Sequence, residues 1–327
     1  MPARDLLAPA VAFVVLVAVI VGGAAAVPFV SGGESTDVTN LADRQTDIDA
    51  VTVAEADSEG TITMDSDAES KTVLIDRAHA NQISDEKLST LTNTLVANGH
   101  EVEYVTQEQA RGPAWNESLR SADAFLIANP NQPYTSGQLA GVEAFADAGG
   151  RVVMLSDPAS IQQFGIFGLG IQQQSNDDPA LNSEFGISAQ SGYLFNMHDY
   201  QQTFKSVYAT PGDGPLSAGV DRDAAAVSVA DGQTALRAGE QTRLSTTRRA
   251  DTYGVAVQSG DVVMVGDTDF LTPESAYVAD NDVFIGNLAD FLVSGEKTAD
   301  APAPPSEGSD GPGGPSEPTR PTPEQVA

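Results

Sequence analysis

The sequence contains no cysteine. This absence excludes disulfide bonds, thiolate metal sites, a lipid anchor attached to cysteine and a cysteine nucleophile. No HExxH motif or other dense spacing of His and Asp is present, which leaves few ligands for a catalytic zinc ion. The glycines of FGIFGLGIQQQ (residues 164–174) are not followed by the Lys-Ser/Thr pair of a phosphate loop. Thiol chemistry and phosphate binding by such a loop are therefore not expected.

Positive charge is scarce as well. The chain has 16 Lys and Arg residues against 46 Asp and Glu residues, and a formal net charge of −30. This balance argues against nucleic acid as a partner, because phosphate binding needs clustered Lys and Arg. The acids are spread along the chain and only four lysines occur. That pattern indicates adaptation to concentrated salt, as in halophilic archaea. At 1 M salt the Debye length falls to about 3 Å, which screens the repulsion among the acidic side chains. An acid-rich surface protein of a mesophile is the alternative.

One long hydrophobic run is present, at residues 6–30, and it contains no charged residue. A helix of this length would cross about 30 Å of hydrocarbon. Arg4 precedes the run and no lysine follows until Lys71. The positive-inside rule therefore predicts a cytoplasmic N-terminus at residues 1–5 and a single-pass cell-membrane protein whose bulk is extracytoplasmic. A cleaved signal peptide ending near GGAAAV is the alternative, and it also places the remainder outside the cytoplasm.

The rest of the chain divides by composition into three parts. Residues 31–70 are polar, acidic and non-periodic, which is typical of a flexible stalk. Residues 297–327 are rich in Pro, Gly and Ser and predict a disordered tail. Residues 71–296 are long enough for one globular domain.

Within that domain, short apolar runs alternate with helical patterns. The runs predict strands at 72–76, 101–105, 124–129 and 151–156. A helix capped by Ser84 follows the first run, and a capping box at Thr135 opens another helix at 136–148. A hairpin turning at Ser259–Gly260 and a final helix at about 281–293 complete the pattern. Alternation of this kind predicts an α/β fold with a parallel sheet and helices on both faces.

Polar residues follow the predicted strands at the point where each one ends. In an open parallel sheet, ligands bind outside the carboxyl ends of the strands, so we expect these side chains to surround one crevice. The candidate ligand-binding residues are Asp76, His79, Asn81, Asn129, Asn131, Ser156, Asp157, Asp267 and Asp269.

Structural roles explain several polar residues equally well. Asp157 precedes Pro158, which is the usual form of a helix N-cap, and Asp280 or Asn281 could cap the final helix. His100 follows the end of a helix and is expected in a solvated turn. Asn116 begins the sequon NES and could be glycosylated outside the cytoplasm.

Three segments carry a family resemblance: VLIDRAHANQ, FLIANPNQPYTSGQLAGVEAFADAGGRVVMLSDP and VVMVGDTDFL with DNDVFIGNLADFL. Over roughly residues 70–295 the chain resembles the class I glutamine amidotransferase-like superfamily. More narrowly, it resembles membrane-anchored proteins of the DUF4350 type and the auxiliary domains of GldG-like ABC transport systems. The resemblance implies a flavodoxin-like, mostly parallel sheet and partners in a transport or envelope assembly.

The residues that perform catalysis in true amidotransferases of this fold are missing. Where that family has a glycine-flanked cysteine, this chain has Leu155-Ser156-Asp157-Pro158, and where it has His-Pro-Glu, the chain has Gly266-Asp267-Thr268-Asp269. A serine nucleophile would need an adjacent base, and Pro158 restricts the residue before it. We therefore expect no amidotransferase activity.

Three functions stay open. The first is a non-catalytic domain that binds a small ligand, such as a neutral polyol or a hard cation, or a partner subunit in the crevice, without a cofactor. The second is a metal-dependent hydrolase in which the carboxylates and the histidine of the set Asp76, His79, Asp267 and Asp269 hold a divalent ion. The third is a purely structural spacer with a vestigial crevice.

Overall fold

The computed structural model describes residues 60–164, 170–174, 176–213, 219–222 and 227–303. The helices are α1 (Asp85–Ala97), α2 (Pro113–Ser121), α3 (Ser136–Asp147), α4 (Pro179–Glu184) and α5 (Asn281–Val293), with a 3-10 turn at Asp269–Leu271. The strands are β1 (Thr72–Asp76), β2 (Glu101–Val105), β3 (Ala124–Ala128), β4 (Arg151–Leu155), β5 (Ser160–Phe164), β6 (Gly170–Gln174), β7 (Ile187–Ala189), β8 (Leu194–Phe195), β9 (Ser206–Pro211), β10 (Gly219–Arg222), β11 (Val227–Val229), β12 (Gln233–Ala238), β13 (Arg243–Leu244), β14 (Gly254–Ser259) and β15 (Val262–Val265).

The main sheet is mixed. Its strand order is β10-β9-β12-β14-β15-β4-β3-β1-β2, with β11 paired to β14 and β7 paired to β11. The five strands β15, β4, β3, β1 and β2 are parallel, whereas the strands from β14 outward pair antiparallel. The α/β class is confirmed. The sheet as a whole is not mostly parallel, because the β14–β15 hairpin reverses the chain direction and the antiparallel strands extend the sheet from there.

The local signals in the sequence correspond to the observed elements. The Ser84 side chain accepts a hydrogen bond from Lys87 N at the start of α1. The Thr135 capping box is formed at the start of α3. The predicted hairpin turns where expected, and Gly260 adopts a φ of 55° that suits glycine. Each of these signals depends on neighbouring residues alone, which is why the sequence predicts them.

The parallel strands supply side chains alternately to two hydrophobic cores. Val73 and Ile75 of β1 belong to the core that α1 and α5 cover, whereas Leu74 belongs to the core that α2 and α3 cover. Successive side chains of a strand point to opposite faces, so every strand of the parallel block contributes to both cores. Helices therefore lie on both faces of this block. Polar side chains can gather at the edge formed by the carboxyl ends of its strands, which we call the carboxyl edge.

The first and last described residues pack against the domain. Asp65 N and Ser66 N donate hydrogen bonds to the carboxylate of Asp290 on α5, at 2.9 and 3.0 Å. Lys297 Nζ donates to the carbonyl oxygens of Arg120 and Ala301, both at 3.0 Å. Residues 60–70 of the predicted stalk and 297–303 of the predicted tail are thus in contact with the folded core.

His100 is buried, with 4% of its surface exposed, although the sequence predicted a solvated turn. Its Nδ1 accepts a hydrogen bond from Lys71 N at 3.2 Å. The prediction was wrong because the residues that precede β1 run beside the turn after α1 and cover the ring.

None of the helices within the described residues is both long enough and apolar enough to cross a bilayer. Residues 6–30, where the anchor is predicted, lie outside the described residues, as do residues 1–5, 31–59 and 304–327.

Candidate functional site

Four of the predicted site residues lie at one edge of the sheet. Asp76 ends β1, Asn129 follows β3, Ser156 follows β4 and Asp267 comes shortly after β15. These strands are parallel and adjacent, so their carboxyl ends meet at the same edge. All four residues are buried. Their side chains belong to separate hydrogen-bonded groups along this edge.

Asp76 is the centre of the first group. Its fully buried carboxylate accepts hydrogen bonds from Ala78 N at 2.9 Å, His79 Nδ1 at 2.9 Å, Asn81 Nδ2 at 3.2 Å and Tyr134 Oη at 2.6 Å. A buried carboxylate is costly unless it is hydrogen-bonded in this way. The donors therefore account for a charged group at a position with no solvent contact.

Tyr134 and His79 form an aromatic stack above Asp76. The two rings are nearly parallel with centroids 3.7 Å apart, and the Trp115 ring is nearly perpendicular to that of His79 with centroids 5.7 Å apart. Burial, together with the negative charge of Asp76, raises the pKa of Tyr134 well above its usual value. The phenol therefore stays protonated and donates its hydrogen bond. His79 Nδ1 faces the carboxylate and, since a carboxylate can only accept, donates the hydrogen bond.

Asn129 and Asp157 form the second group. Asn129 has a φ of 47°, and its side-chain oxygen accepts from Asp157 N at 2.8 Å while Nδ2 donates to Asp157 Oδ2 at 2.6 Å. Asp157 also accepts from Thr268 N and Thr268 Oγ1, both at 2.8 Å. The expected N-cap role of Asp157 is wrong, because the chain continues into β5 rather than into a helix. Its carboxylate instead joins the ends of β3, β4 and β15.

Lys87 lies beside this second group. Its Nζ is 2.5 Å from Asp269 Oδ1 and 3.8 Å from Asp157 Oδ2. Burial alone would lower the pKa of Lys87, but Asp157, Asp269 and Asp267 more than offset this, so the pKa is raised above its usual value. Asp269 N in turn donates to Asp267 Oδ1 at 2.9 Å.

The sequence analysis missed both Lys87 and Tyr134. A signal for Lys87 was present, since it is one of four lysines and stands in the first turn of the helix after β1. Its acidic partners, however, are 70 and 182 residues away along the chain. Tyr134 follows β3 in the same loop as Asn131, and nothing in the local pattern connects it to Asp76.

Ser156 makes a structural hydrogen bond. Its side chain is buried, and Oγ donates to the carbonyl oxygen of Asn176 at 3.0 Å. A nucleophilic serine needs an adjacent base as its partner, whereas this hydroxyl is bonded to a backbone carbonyl.

A groove of about 390 Å³ opens beside His79, between the loop after β3 and the start of α2. It is lined by Ala78, His79, Gln107, Ala110, Arg111, Gly112, Gln132, Pro133, Thr135 and Gln138. Of the nine predicted site residues, only His79 belongs to this lining. Asn131 lies nearby with an exposed side chain, and its backbone N donates to His79 O at 3.0 Å. The single crevice expected from the sequence is thus divided into buried polar groups and one adjacent open groove.

The four residues of the hydrolase alternative do not form one cluster. Asp76 and His79 bond to each other, whereas Asp267 and Asp269 lie with Lys87. Among the residues that the structure describes, no group of three or more His, Cys, Asp or Glu side chains is arranged to hold a metal ion.

Comparisons with known proteins identify a family and a similar fold. The family model described as a domain of unknown function (DUF4350) matches residues 80–289, more than half of the chain. The solved structure titled "mmIFT52 N-terminal domain" is similar with a TM-score of 0.51 at 13% identity, over 69% of this chain and 99% of that chain. At this identity the likeness concerns the fold alone.

A second solved structure, of a protein described as ThuA-like from Parabacteroides merdae, has a TM-score of 0.37 at 10% identity, over 70% of this chain and 92% of that chain. No curated protein matches the chain.

Proposed function

Because this chain belongs to the DUF4350 family, we propose that its folded part is a non-catalytic, extracytoplasmic binding domain. In this proposal, residues 6–30 tether it to the cell membrane, and it serves as an accessory subunit of a transport or envelope assembly. The groove beside His79 receives a small polar ligand. The dispersed acids and the charge of −30 suit work in concentrated salt.

The observation that carries the proposal is the internal pairing of the polar groups at the carboxyl edge. Asp76 accepts from four donors, Ser156 Oγ donates to a backbone carbonyl, and Asp157 accepts from Asn129 and Thr268. General acids, bases and nucleophiles must instead reach a substrate. Groups paired to this extent hold strand ends in place, which favours a binding domain over an enzyme.

The chemistry of the groove favours a neutral, hydroxyl-rich ligand. Its polar lining includes the amides of Gln107 and Gln132 and the Arg111 guanidinium. The Gln138 amide and the Thr135 hydroxyl also line it, but they are already bonded to each other and to Ala110 O at the start of α3. No carboxylate lines the groove, so a hard cation would find few of the oxygen ligands it prefers. Amides can both donate to and accept from the hydroxyls of a polyol or a sugar.

The strand order supports a relation to a wider superfamily with flavodoxin-like sheets. The parallel block runs β2-β1-β3-β4-β15, which is the order 2-1-3-4-5 of flavodoxin-like sheets. A relation to the class I glutamine amidotransferase-like superfamily and to GldG-like transport domains would explain this order, with the catalytic cysteine and histidine of that superfamily lost from this chain. Ligands of such sheets bind outside the carboxyl ends of the strands, which is the edge that the groove adjoins.

Saturation-transfer NMR on the full chain in detergent and molar KCl tests the groove, with glycerol, sorbitol and trehalose as probes. We expect transfer to at least one probe, and its loss in Gln132→Trp, which fills the groove from an exposed position. Gln233→Trp, at an exposed position of β12, is the matched control and should keep the transfer. Equal signals in both variants, or no transfer to any probe, would count against the proposed ligand class.

A further inference from the structure

A second surface of interest lies on the small sheet formed by β8 and β13. Phe195 and Arg243 are directly paired across these antiparallel strands, as are Leu194 and Leu244. Both leucines are buried in the core. Because side chains alternate along a strand and paired residues share a face, Phe195 and Arg243 lie together on the outer face.

Aromatic side chains continue this outer face. The Tyr193 and Phe195 rings are 6.4 Å apart, and the Phe195 and Phe204 rings are 6.3 Å apart. Lys205 Nζ lies 4.3 Å from the centre of the Tyr193 ring. Half of the large hydrophobic side chains that are exposed among the described residues fall in this short stretch; they are Met197, Tyr200 and Phe204.

Three arginines add unpaired positive charge to the aromatic surface. Arg243, Arg248 and Arg249 are exposed, and within the described part of the chain none of them lies in an ion pair. By contrast, Arg151 and Arg237 each pair with an aspartate. The Arg243 guanidinium donates to Arg248 O at 2.8 Å, which connects the loop after β13 to the paired strands. A local cluster of unpaired arginines is unexpected in a chain with a net charge of −30.

We propose that this aromatic–arginine surface, defined by Tyr193, Phe195, Phe204, Arg243, Arg248 and Arg249, docks an acidic segment of a partner protein. Phe, Tyr, Met and Arg are the residues enriched at protein interfaces, where aromatic and Arg side chains provide most of the binding energy. Positive charge set in an otherwise acidic protein selects a negative partner by complementarity at contact, where the charges lie close enough to interact even in concentrated salt.

The charge distribution favours a protein segment over an anionic bilayer. A bilayer presents an extended negative surface that would also face the remaining acidic surface of this chain and be repelled by it. A short acidic segment needs to contact only the arginines and the adjoining rings. The inference does not depend on the groove beside His79, because the two surfaces share no residue.

The test uses the full chain in detergent and a fluorescent peptide, Asp-Glu-Leu-Glu repeated three times, with binding followed by anisotropy at 0.3 and 2 M KCl. We expect binding that weakens at the higher salt, and at least a tenfold rise in Kd for Arg248→Glu/Arg249→Glu and for Phe204→Ser. Arg237→Glu, which reverses one charge at a half-buried position elsewhere, should leave Kd within about twofold. Circular dichroism checks that each variant is folded.

Several outcomes would overturn the inference. They are the absence of peptide binding, equal binding of a peptide with lysine in place of the acids, and Kd values unchanged in both surface variants. Binding to phosphatidylglycerol vesicles but not to the peptide would assign the surface to a membrane. Self-association that the two surface variants abolish, with no peptide binding, would assign it to a second copy of this chain.

Discussion

Lys87 Nζ lies 2.5 Å from Asp269 Oδ1, so the first turn of α1 is joined to the loop that follows β15. The same ammonium group lies 3.8 Å from Asp157 Oδ2, beyond the end of β4. One of the four lysines of the chain thus balances carboxylates from two other elements. In a protein this acidic, we expect the loss of the Lys87 charge from this position to lower the stability of the fold.

Lys87→Met is expected to lower the free energy of unfolding by about 1–3 kcal/mol, between the values typical of exposed and buried ion pairs. The loss arises because Asp157 and Asp269 are left near each other and near Asp267 without a cation. Urea denaturation at constant KCl measures it. Arg237→Met, which breaks the more exposed pair with Asp213, should cost less than about 1 kcal/mol. Equal losses would contradict the special role given to Lys87.

His100 predicts a dependence of stability on pH. Burial, with the charge of Lys71 adding to it and that of Asp290 opposing it, lowers the pKa of His100 below its usual 6.5. Its neutral Nδ1 accepts from Lys71 N, a bond that protonation removes. The contribution to stability is therefore fully present above pH 6.5 and is lost as the pH falls through the lowered pKa.

Thermal unfolding between pH 5 and 8 tests this dependence. The native chain should lose stability below pH 6.5 more steeply than His100→Asn, whose side chain does not titrate. Parallel profiles for the two proteins would show that another group is responsible.

Gly286 lies inside α5 against the segment that precedes β1. A Cβ at this position would come within 2.2 Å of Thr63 O, so Gly286→Ala must displace the backbone around residue 63. We expect faster hydrogen exchange in residues 61–68 and a lower Tm. Gly137→Ala in α3 is the matched control, because a Cβ there meets nothing within 4 Å. Since alanine favours helix over glycine by about 1 kcal/mol, that control should be neutral or stabilising.

Tyr134→Phe removes one donor from the buried Asp76 carboxylate while keeping the stack on His79. Leaving a buried charged group with one bond fewer should cost about 1–3 kcal/mol in the free energy of unfolding. Tyr208→Phe, at a half-buried position whose hydroxyl has no hydrogen bond among the described residues, should change it little. Equal stability of Tyr134→Phe and the native chain would mean that the other donors already satisfy Asp76.

The sequence predicted those parts of the fold that local pattern determines. Apolar runs and caps located β1 to β4, α1, α3 and α5, and the polar residues that follow parallel strands were correctly expected at one edge. The pairing among them could not be predicted, since Asp76 meets Tyr134 and Lys87 meets Asp269 only through the tertiary fold. The short strands from β7 to β13 have weak periodicity, so the antiparallel extension of the sheet was not expected either.

The proposal that the polar edge serves structure and ligand binding rather than turnover is tested most directly by a hydrolase assay. The full chain in molar KCl is supplied with amide and ester substrates, with and without Mg²⁺, Mn²⁺ or Zn²⁺. The account predicts the same rates for the native chain, Ser156→Ala and Asp76→Asn, at the level of the buffer. Turnover by the native chain that either substitution abolishes, in a variant shown to be folded, would contradict it.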